Sequence, residues 1–317
     1  MSTMNTTSTT GLHVTLQNYY DGKLLMEMEK RLVFYQNGQR KALPKHSGRA
    51  VEFWRYKPFD AVTTALTEGV IPNSQTLSME KVVCNVASYG GYVATTDVLS
   101  LTGVNTQTNN LVNLMAKQGA LSIDHIVRDA VSAGTQVQYA GSAANRAAIS
   151  ATHKLTIADI RKAVRTLEKN GAPKFNRGGK GYYKAIVGSD AKYSLQSDSL
   201  WEEKGKYQQA EQIENGEIGK LFGVIFIESS EAKVFSQAGA SQADVGATLV
   251  FGEDAYGVVD LGAVGDSPVR SIIKPLGSAG SSDPLDQIAT VGWKVEGFAA
   301  TILNQDWIVR IEHGIEA

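Results

Sequence analysis

The sequence predicts an α+β fold that combines a long helix, a strand-rich unit and an extended hairpin. First, residues 106–133 contain no proline and keep apolar residues on one side, which predicts a helix well above the average of about 11–12 residues. Second, strand and short-helix patterns alternate between residues 156 and 275, as in a compact α/β unit. Third, an aromatic and basic strand at residues 49–56 precedes a loop of roughly 20 residues and a second strand, which is typical of a functional loop.

The composition is that of an ordinary globular protein with balanced charge. The chain has 317 residues, of which 43% are hydrophobic, and its formal net charge is -1. Because phosphate-binding proteins usually carry a basic excess, at least in one region, this balance disfavours dedicated nucleic-acid binding. Cys84 is the only cysteine, so no intrachain disulfide can form. The N-terminus resembles neither a signal nor a transit peptide, and no apolar run approaches a membrane span, so we expect a soluble protein made inside the cell.

The N-terminal region predicts a polar arm followed by one helix. Residues 1–14 are rich in Ser, Thr and Asn and are too polar to fold alone. From residue 15 to 35 apolar side chains recur at every fourth position, at Leu16, Tyr20, Leu24, Met28 and Leu32. That spacing predicts an amphipathic helix, which Asn37-Gly38 would end.

The segment after this helix predicts a long two-stranded hairpin. Residues 49–56 alternate as a strand, although neither face is cleanly apolar, and a second strand is predicted from Leu77 to about Val93. The loop between them is interrupted by Gly69 and Pro72. Since an isolated hairpin is marginally stable in water, its aromatic side chains should pack on something. A neighbouring subunit is one candidate for that partner.

Further elements follow in the rest of the chain. Thr156 is placed to cap a helix, with Asp159 three residues on. The predicted elements after that helix are Tyr182–Val187, Asp190–Gln196, Leu221–Glu228, Ala247–Phe251 and Ser271–Pro275. The chain closes with two alternating runs, 291–303 and 307–312, which a turn at Asn304-Gln305-Asp306 would join as a β-hairpin.

We find no set of residues that indicates catalysis or metal binding. The five histidines are not paired at metal-ligand spacing, and there is no HExxH motif. Residues 176–181, NRGGKG, lack the Ser or Thr that follows Gly-Lys in a phosphate-binding P-loop, so a hairpin turn is the better interpretation. The glycines of residues 276–281 are wrongly spaced for a nucleophile elbow. We therefore expect a protein that is not an enzyme, with no catalytic residue, cofactor or metal.

Seven segments of the chain, in order, resemble the N4-like family of tailed-phage major capsid proteins. They are LPKHSGRAVEFWRYKPFDAVTTALTEGV from Leu43, VQYAG (Val137–Gly141), LTIADIRKAVRTLEKNGAPKF (Leu155–Phe175), EQIENGEIGKLFGVIFIES (Glu211–Ser229), VFGEDAYGVVDL (Val250–Leu261), IIKPLGSAGSSDPLDQIATVGWK (Ile272–Lys294) and RIEHG (Arg310–Gly314). The resemblance covers nearly the whole chain after the polar arm. No single segment is chemically diagnostic, but seven in the same order are specific.

This resemblance implies a Hong Kong 97-like phage capsid fold. It divides the chain into an N-terminal arm (1–14), the N-terminal helix of the peripheral region (15–45), an extended loop or β-hairpin (46–95), a peripheral domain with a long spine helix (96–155), an axial domain (156–275) and a C-terminal β-hairpin of the peripheral domain (276–317). The extended loop of this fold reaches over a neighbouring subunit. The aromatic strand would then meet another copy of the chain.

The resemblance also implies the partners and the contact residues. The chain would assemble with itself as pentamers and hexamers into an icosahedral virion shell, in the host bacterial cytoplasm, with a scaffolding protein, a portal and a cement protein. The shell would enclose double-stranded DNA without specific binding and without contact with a membrane. The expected intersubunit contacts are Phe53, Trp54, Arg55, Tyr56, Lys57 and Glu68.

Two other functions stay open from the sequence. An encapsulin-like nanocompartment would use the same fold to enclose a cargo enzyme, and the contents of the particle would distinguish it. A nucleic-acid-binding protein would use Trp54 and Tyr56 to stack on bases and Arg55 and Lys57 to bind phosphates, with strongly salt-dependent affinity. The acidic residues Glu52 and Asp60 in the same segment weigh against that second alternative.

Overall fold

The computed structural model describes four helices and sixteen strands in residues 32–43, 49–57, 59–97, 107–198, 200–201, 217–259, 269–274, 276–277 and 284–315. The helices are α1 (Val33–Gln36), α2 (Gln107–Ser132), α3 (Ile157–Lys169) and α4 (Ser189–Gln196). The strands of the first half are β1 (Gln39–Lys41), β2 (Ala50–Tyr56), β3 (Met79–Asn85), β4 (Ala87–Thr96), β5 (Val137–Tyr139), β6 (Phe175–Arg177), β7 (Lys180–Val187) and β8 (Glu217–Leu221). Those of the second half are β9 (Val224–Glu228), β10 (Val234–Phe235), β11 (Val245–Phe251), β12 (Tyr256–Val259), β13 (Val269–Lys274), β14 (Ile288–Phe298), β15 (Ala300–Ile302) and β16 (Ile308–Gly314). The predicted arm and most of the helix predicted at 15–35 lie outside the described residues.

The largest sheet has eight strands, which come from residues 137–314. Its main path runs β5-β16-β11-β7-β9-β8, with β10 paired to β11 and β6 paired to β7. The last strand, β16, lies antiparallel to β11 from Val245↔Gly314 to Phe251↔Ile308. Helix α3 packs against β16 and β11. A core between these elements includes Ile160, Leu167 and Ile311.

The long helix α2 confirms the helix predicted at residues 106–133 to within one residue at each end. It packs on β14, β15 and β4, and Ile123 and Val127 of its inner face are fully buried. Strands β13, β14 and β4 form one sheet in that order, and β1, β12 and β15 form another. These sheets and α2 enclose the larger hydrophobic core, which includes Phe298 and Trp293.

The predicted C-terminal β-hairpin is wrong. Strand β14 pairs with β13 and β4, and β15 pairs with β12, whereas β16 joins the eight-stranded sheet. Residues Gln305–Trp307 form a turn of 3-10 helix between the sheets instead of a hairpin turn. Alternation of apolar and polar residues identifies a strand but not its partner, which explains the error.

Two runs predicted as single strands are each divided in two. The run from Leu77 to Val93 breaks at Val86, where β3 ends in the hairpin and β4 continues in the sheet with β14. The run from Leu221 to Glu228 breaks at Phe222 and Gly223, both at positive φ, which form a tight turn between β8 and β9. The sheets also cross the predicted limits of the axial domain, because β5 and β16 lie outside residues 156–275 and β12 and β13 lie inside them. The division into six segments remains a prediction.

Candidate intersubunit surface

The extended hairpin predicted in residues 46–95 is present as strands β2 and β3. They pair antiparallel through seven residue pairs, from Ala50↔Asn85 at the base to Tyr56↔Met79 at the outer end. A further backbone hydrogen bond, from the N–H of Lys57 to the carbonyl of Ser78 at 2.9 Å, closes the outer end. From residue 59 to residue 78 the chain forms a loop. The loop contains a turn in which the N–H of Val70 donates to the carbonyl of Thr67 and Gly69 has φ 75°.

One face of the hairpin base belongs to the core of its own chain. Val51, Phe53 and Cys84 are buried there, and the Phe53 ring packs against Gly257 of β12, where a Cβ would lie 2.7 Å from the ring. Burial also raises the pKa of the Cys84 thiol. Phe53 thus packs in the core of its own chain, and its contact with another subunit remains a prediction. The sequence pattern does not reveal this buried face of β2, because the strand that covers it lies some 200 residues later in the chain.

The opposite face and the outer end of the hairpin are exposed. Trp54 and Tyr56 project from the other side of β2, with 52% and 61% of their surface accessible. Their only described cation contact is the ammonium of Lys81, 5.6 Å from the Trp54 ring centroid. Two large aromatic side chains therefore lie at the surface where the sequence predicted an intersubunit contact.

The basic side chains of the hairpin are neutralised by carboxylates of the same hairpin. Glu80 on β3 binds both Arg55 and Lys57, the latter at 2.7 Å, and Lys81 binds Glu52. Hydrogen bonds from Lys57, which has the larger effect, and from Arg55 lower the pKa of the Glu80 carboxyl. Arg55 also lies with its guanidinium 5.9 Å from the Trp307 ring. These cations have intrachain partners, which weakens the case for phosphate binding by the hairpin.

The loop at the tip of the hairpin exposes a cluster of large apolar side chains that sequence reasoning did not single out. Ile71 is 91% accessible, and Glu68 is exposed beside the Gly69 turn. The exposed apolar side chains of the loop and the adjoining strand end are Phe59, Val62, Leu66, Val70, Ile71, Leu77 and Met79. Singly exposed apolar residues are ordinary, but seven large ones within 21 positions are a feature of interaction surfaces. The signal was present in the sequence as a loop rich in Val, Leu and Ile without helical or strand period.

Two kinds of site are not found among the residues that the structure describes. No group of three or more His, Cys, Asp or Glu side chains is arranged to hold a metal ion there. No helix within the described ranges is long and apolar enough to cross a membrane. The hairpin surface is thus the candidate site that the described residues support best.

Comparison with known proteins identifies similar structures but no similar sequence. No family model matches the chain, and no curated protein is significantly similar to it. The capsid of Ralstonia phage GP4 contains a chain with TM-score 0.74 and 14% identity, and the match covers 91% of this chain and 92% of that one. The capsid of cyanophage Pam1 matches with TM-score 0.66 and 15% identity over 86% of each chain. The capsid of cyanophage P-SCSP1u matches with TM-score 0.63 and 14% identity over 88% and 87% of the two chains. The chain therefore has the mixed helix and sheet fold of phage capsid proteins.

Proposed function

We propose that this chain is the major capsid protein of a tailed bacteriophage and that copies of it assemble as pentamers and hexamers into an icosahedral shell around double-stranded DNA. The observation that carries the proposal is the structural match to phage capsid chains, which covers about nine-tenths of this chain and of each capsid chain. A match of that extent concerns the fold as a whole and not one sheet or one helix. The role would be structural and non-enzymatic.

The exposed tip of the hairpin supports self-assembly as the way in which this fold is used. Ile71, Leu66 and Val62 are each largely accessible, and the described part of the chain does not cover them. Burying apolar surface contributes about 25 cal/mol per Å², so leaving this cluster in water is unfavourable unless a partner covers it. We propose that Trp54, Tyr56 and the apolar loop contact the next subunit, with Glu68 at the edge of that contact.

The finer assignment follows the sequence resemblance. We propose the Hong Kong 97-like version of the fold and membership of the N4-like group, with α2 as the spine helix of a peripheral domain and the eight-stranded sheet as the main part of the axial domain. A scaffolding protein, a portal and a cement protein are the expected partners of such a shell. Arg55 and Lys57 would keep their bonds to Glu80 and stiffen the hairpin rather than pair across the contact.

Electron microscopy of the full-length chain in negative stain tests the proposal directly. The chain is purified, concentrated and imaged for closed shells or for tubes of capsomers, and native mass spectrometry is used to detect pentamers and hexamers. Closed particles or ring-shaped oligomers are the expected result. A chain that stays monomeric at every concentration, with and without a macromolecular crowding agent, would contradict it. Particles that enclose a protein cargo and exclude DNA would instead support the nanocompartment alternative.

A further inference from the structure

The near-neutral net charge of the chain conceals a strongly basic region. Residues 154–184 contain nine Lys or Arg and two Asp or Glu, a net charge of +7, although the whole chain carries -1. The remainder of the chain is therefore at -8. The balanced total charge therefore does not exclude binding to an anionic partner, because the sum over the chain averages this local excess away. A concentration of positive charge in one part of an otherwise acidic chain indicates a surface that binds an anionic partner.

Helix α3 carries four of these cations on its exposed face. Its inner face is formed by Ile157, Ile160, Ala163, Val164 and Leu167. Arg161, Arg165 and Lys169 follow one another at every fourth position on the solvent side, and Lys162 lies beside them. Like charges at this spacing repel each other and destabilise a helix, so the arrangement is unfavourable for folding alone. A function for the charges would explain why they are together.

Neighbouring elements continue the basic surface. Lys174 directly precedes β6 and binds Glu168 of α3 at 2.9 Å. This ion pair connects the β6–β7 hairpin to the helix. Lys180 lies at the exposed turn of that hairpin, where Gly178 and Gly179 have positive φ. Hence the NRGGKG segment, which is not a P-loop, places an exposed lysine at the end of the β6–β7 hairpin.

A second border of the surface is formed by the turn between β8 and β9. The guanidinium of Arg161 lies 5.2 Å from the ring of Phe222, a partly exposed residue in that turn. The N–H of Tyr183 donates to the carbonyl of Gly223 at 2.8 Å and fixes the turn against β7. Lys220, two residues before Phe222, lies on the other face of the sheet, with its ammonium 5.6 Å from the ring of Tyr182, and is not part of this surface.

Several of these cations have no carboxylate to neutralise them. Lys162 binds Asp159 at 3.3 Å, but Arg165, Lys169 and Lys180 have no acidic partner within 4.0 Å among the residues that the structure describes. The hairpin cations differ, since Arg55, Lys57 and Lys81 are all paired. The positive potential of the chain is thus concentrated here and not at the aromatic hairpin.

We propose that this basic surface, formed by Arg161, Lys162, Arg165, Lys169 and Lys174, binds the phosphate backbone of double-stranded DNA without sequence preference. Successive cations on α3 are about 6 Å apart along the helix axis, at 1.5 Å per residue, and a duplex presents one phosphate about every 3.4 Å per strand. The exposed face of α3 contains no large apolar residue, whereas a protein partner would require apolar anchors. Repeated phosphates fit such a face better than a protein does.

The proposal extends the proposed function but does not depend on it. Each subunit carries the whole basic surface, so binding is measurable on the full-length chain before any assembly. A chain that binds DNA and never forms shells would contradict the proposed function and leave this inference standing. Conversely, shells formed by a chain that does not bind DNA would contradict only this inference.

The test is fluorescence anisotropy with a labelled duplex of about 20 base pairs and arbitrary sequence, titrated with the full-length chain at several salt concentrations. If about four phosphates are neutralised, the slope of log K against log salt is about −3.6, and affinity falls roughly 100-fold between about 50 and 200 mM salt. The double variant Arg165→Gln/Lys169→Gln removes two of the unpaired cations. We expect it to bind at least about 10-fold more weakly at low salt and to make the slope shallower by about 2.

The matched control is the double variant Lys117→Gln/Lys274→Gln. It changes the net charge by the same amount at two exposed lysines, one on α2 and one on β13, outside the basic surface. Circular dichroism melting establishes that both variants fold. Equal binding by the two double variants, or wild-type binding that does not weaken with salt, would overturn the proposal. Competition with polyglutamate provides a further check. If polyglutamate displaces the labelled duplex at a lower concentration of negative charge than unlabelled duplex does, the surface fits an acidic protein and the proposal is overturned.

Discussion

The Oδ1 atom of Asp124, in the middle of α2, accepts a hydrogen bond from the backbone N–H of Phe34 at 2.9 Å. The same oxygen accepts from the N–H of Tyr35 at 3.3 Å, so a buried carboxylate on α2 caps the short helix α1. Tyr256 completes the arrangement by donating from its hydroxyl to the carbonyl of Phe34 at 2.6 Å. The start of the described chain is therefore attached to α2 by a buried acid.

This acid predicts a specific pH dependence of stability. Burial raises the pKa of Asp124 to about 6, against an ordinary 3.8, despite the backbone hydrogen bonds that act in the opposite direction. The folded protein holds the proton between these two values and the unfolded chain does not. The contribution of Asp124 to the free energy of unfolding is therefore fully present below about pH 4 and is lost as the pH rises through 6. A shift of this size corresponds to about 3 kcal/mol.

The variant Asp124→Asn isolates this contribution, because the amide oxygen still accepts the two N–H groups but does not titrate. Urea unfolding of wild type and variant is compared at several pH values from 4 to 7. We expect the stability of the wild type relative to the variant to fall as the pH increases across this range. If the free energies of unfolding of wild type and variant changed in parallel with pH, Asp124 would have the same pKa in the folded and the unfolded chain.

Deleting the hairpin loop should separate folding from assembly. Removal of residues 60–72 takes away Ile71, Leu66 and Val62, none of which packs in the core of the chain. We expect a folded, soluble subunit with nearly unchanged melting temperature that does not form closed particles in the electron microscope. Normal particles from the shortened chain would contradict the role proposed for the loop.

A single charge in the loop should have a similar effect. Ile71→Asp places a carboxylate at the most accessible apolar position of the loop, and Thr67→Asp adds the same charge at an exposed polar position nearby. Loss of an apolar contact should cost about 2 kcal/mol per interface for Ile71→Asp, with little change for Thr67→Asp. Light scattering at increasing protein concentration measures the difference. Equal assembly by the two variants would show that Ile71 is not buried in the particle.

Capping of α3 predicts a local change in stability. The Thr156 hydroxyl accepts from the N–H of Asp159 and donates to its carboxylate at 2.6 Å. Thr156→Ala should lower the free energy of unfolding by about 1 kcal/mol. Thr166→Ala in the same helix is the control, because the Thr166 hydroxyl only donates to the carbonyl of Lys162 one turn back. Chemical denaturation measures both, and equal effects would rule out a capping role for Thr156.

A buried ion network on β16 predicts the largest effect on stability. Glu312 is fully buried and binds Arg146 at 2.6 Å and Arg310 at 2.8 Å. Glu312→Gln keeps the shape but leaves these two cations without their carboxylate, so we expect a loss of about 3 kcal/mol or more. Glu296→Gln, at an exposed pair with Lys294 and Arg270, should change stability little. Thermal unfolding compares the two, and a similar small effect would mean that water reaches Glu312.

Local patterns predicted α2 and α3 well and the sheet partners poorly. The limits of α2 and the Thr156 cap follow from helical period and capping chemistry, both of which depend on residues a few positions apart. The partner of β16 depends on β11, some 60 residues earlier, and the burial of Phe53 depends on Gly257. No short-range pattern carries such information. The hairpin was predictable because β2 and β3 are consecutive, whereas the exposed loop and the basic surface required knowledge of which faces the core had already covered.

The position of β16 inside the eight-stranded sheet has a consequence for biosynthesis. A ribosome adds these residues last among the described strands, and until they emerge from its exit tunnel β11 has no neighbour on one side and α3 lacks part of its core. The eight-stranded sheet is therefore completed only when residues made about 60 positions after β11 have left the tunnel, so β11 waits for its partner while the intervening chain is synthesised.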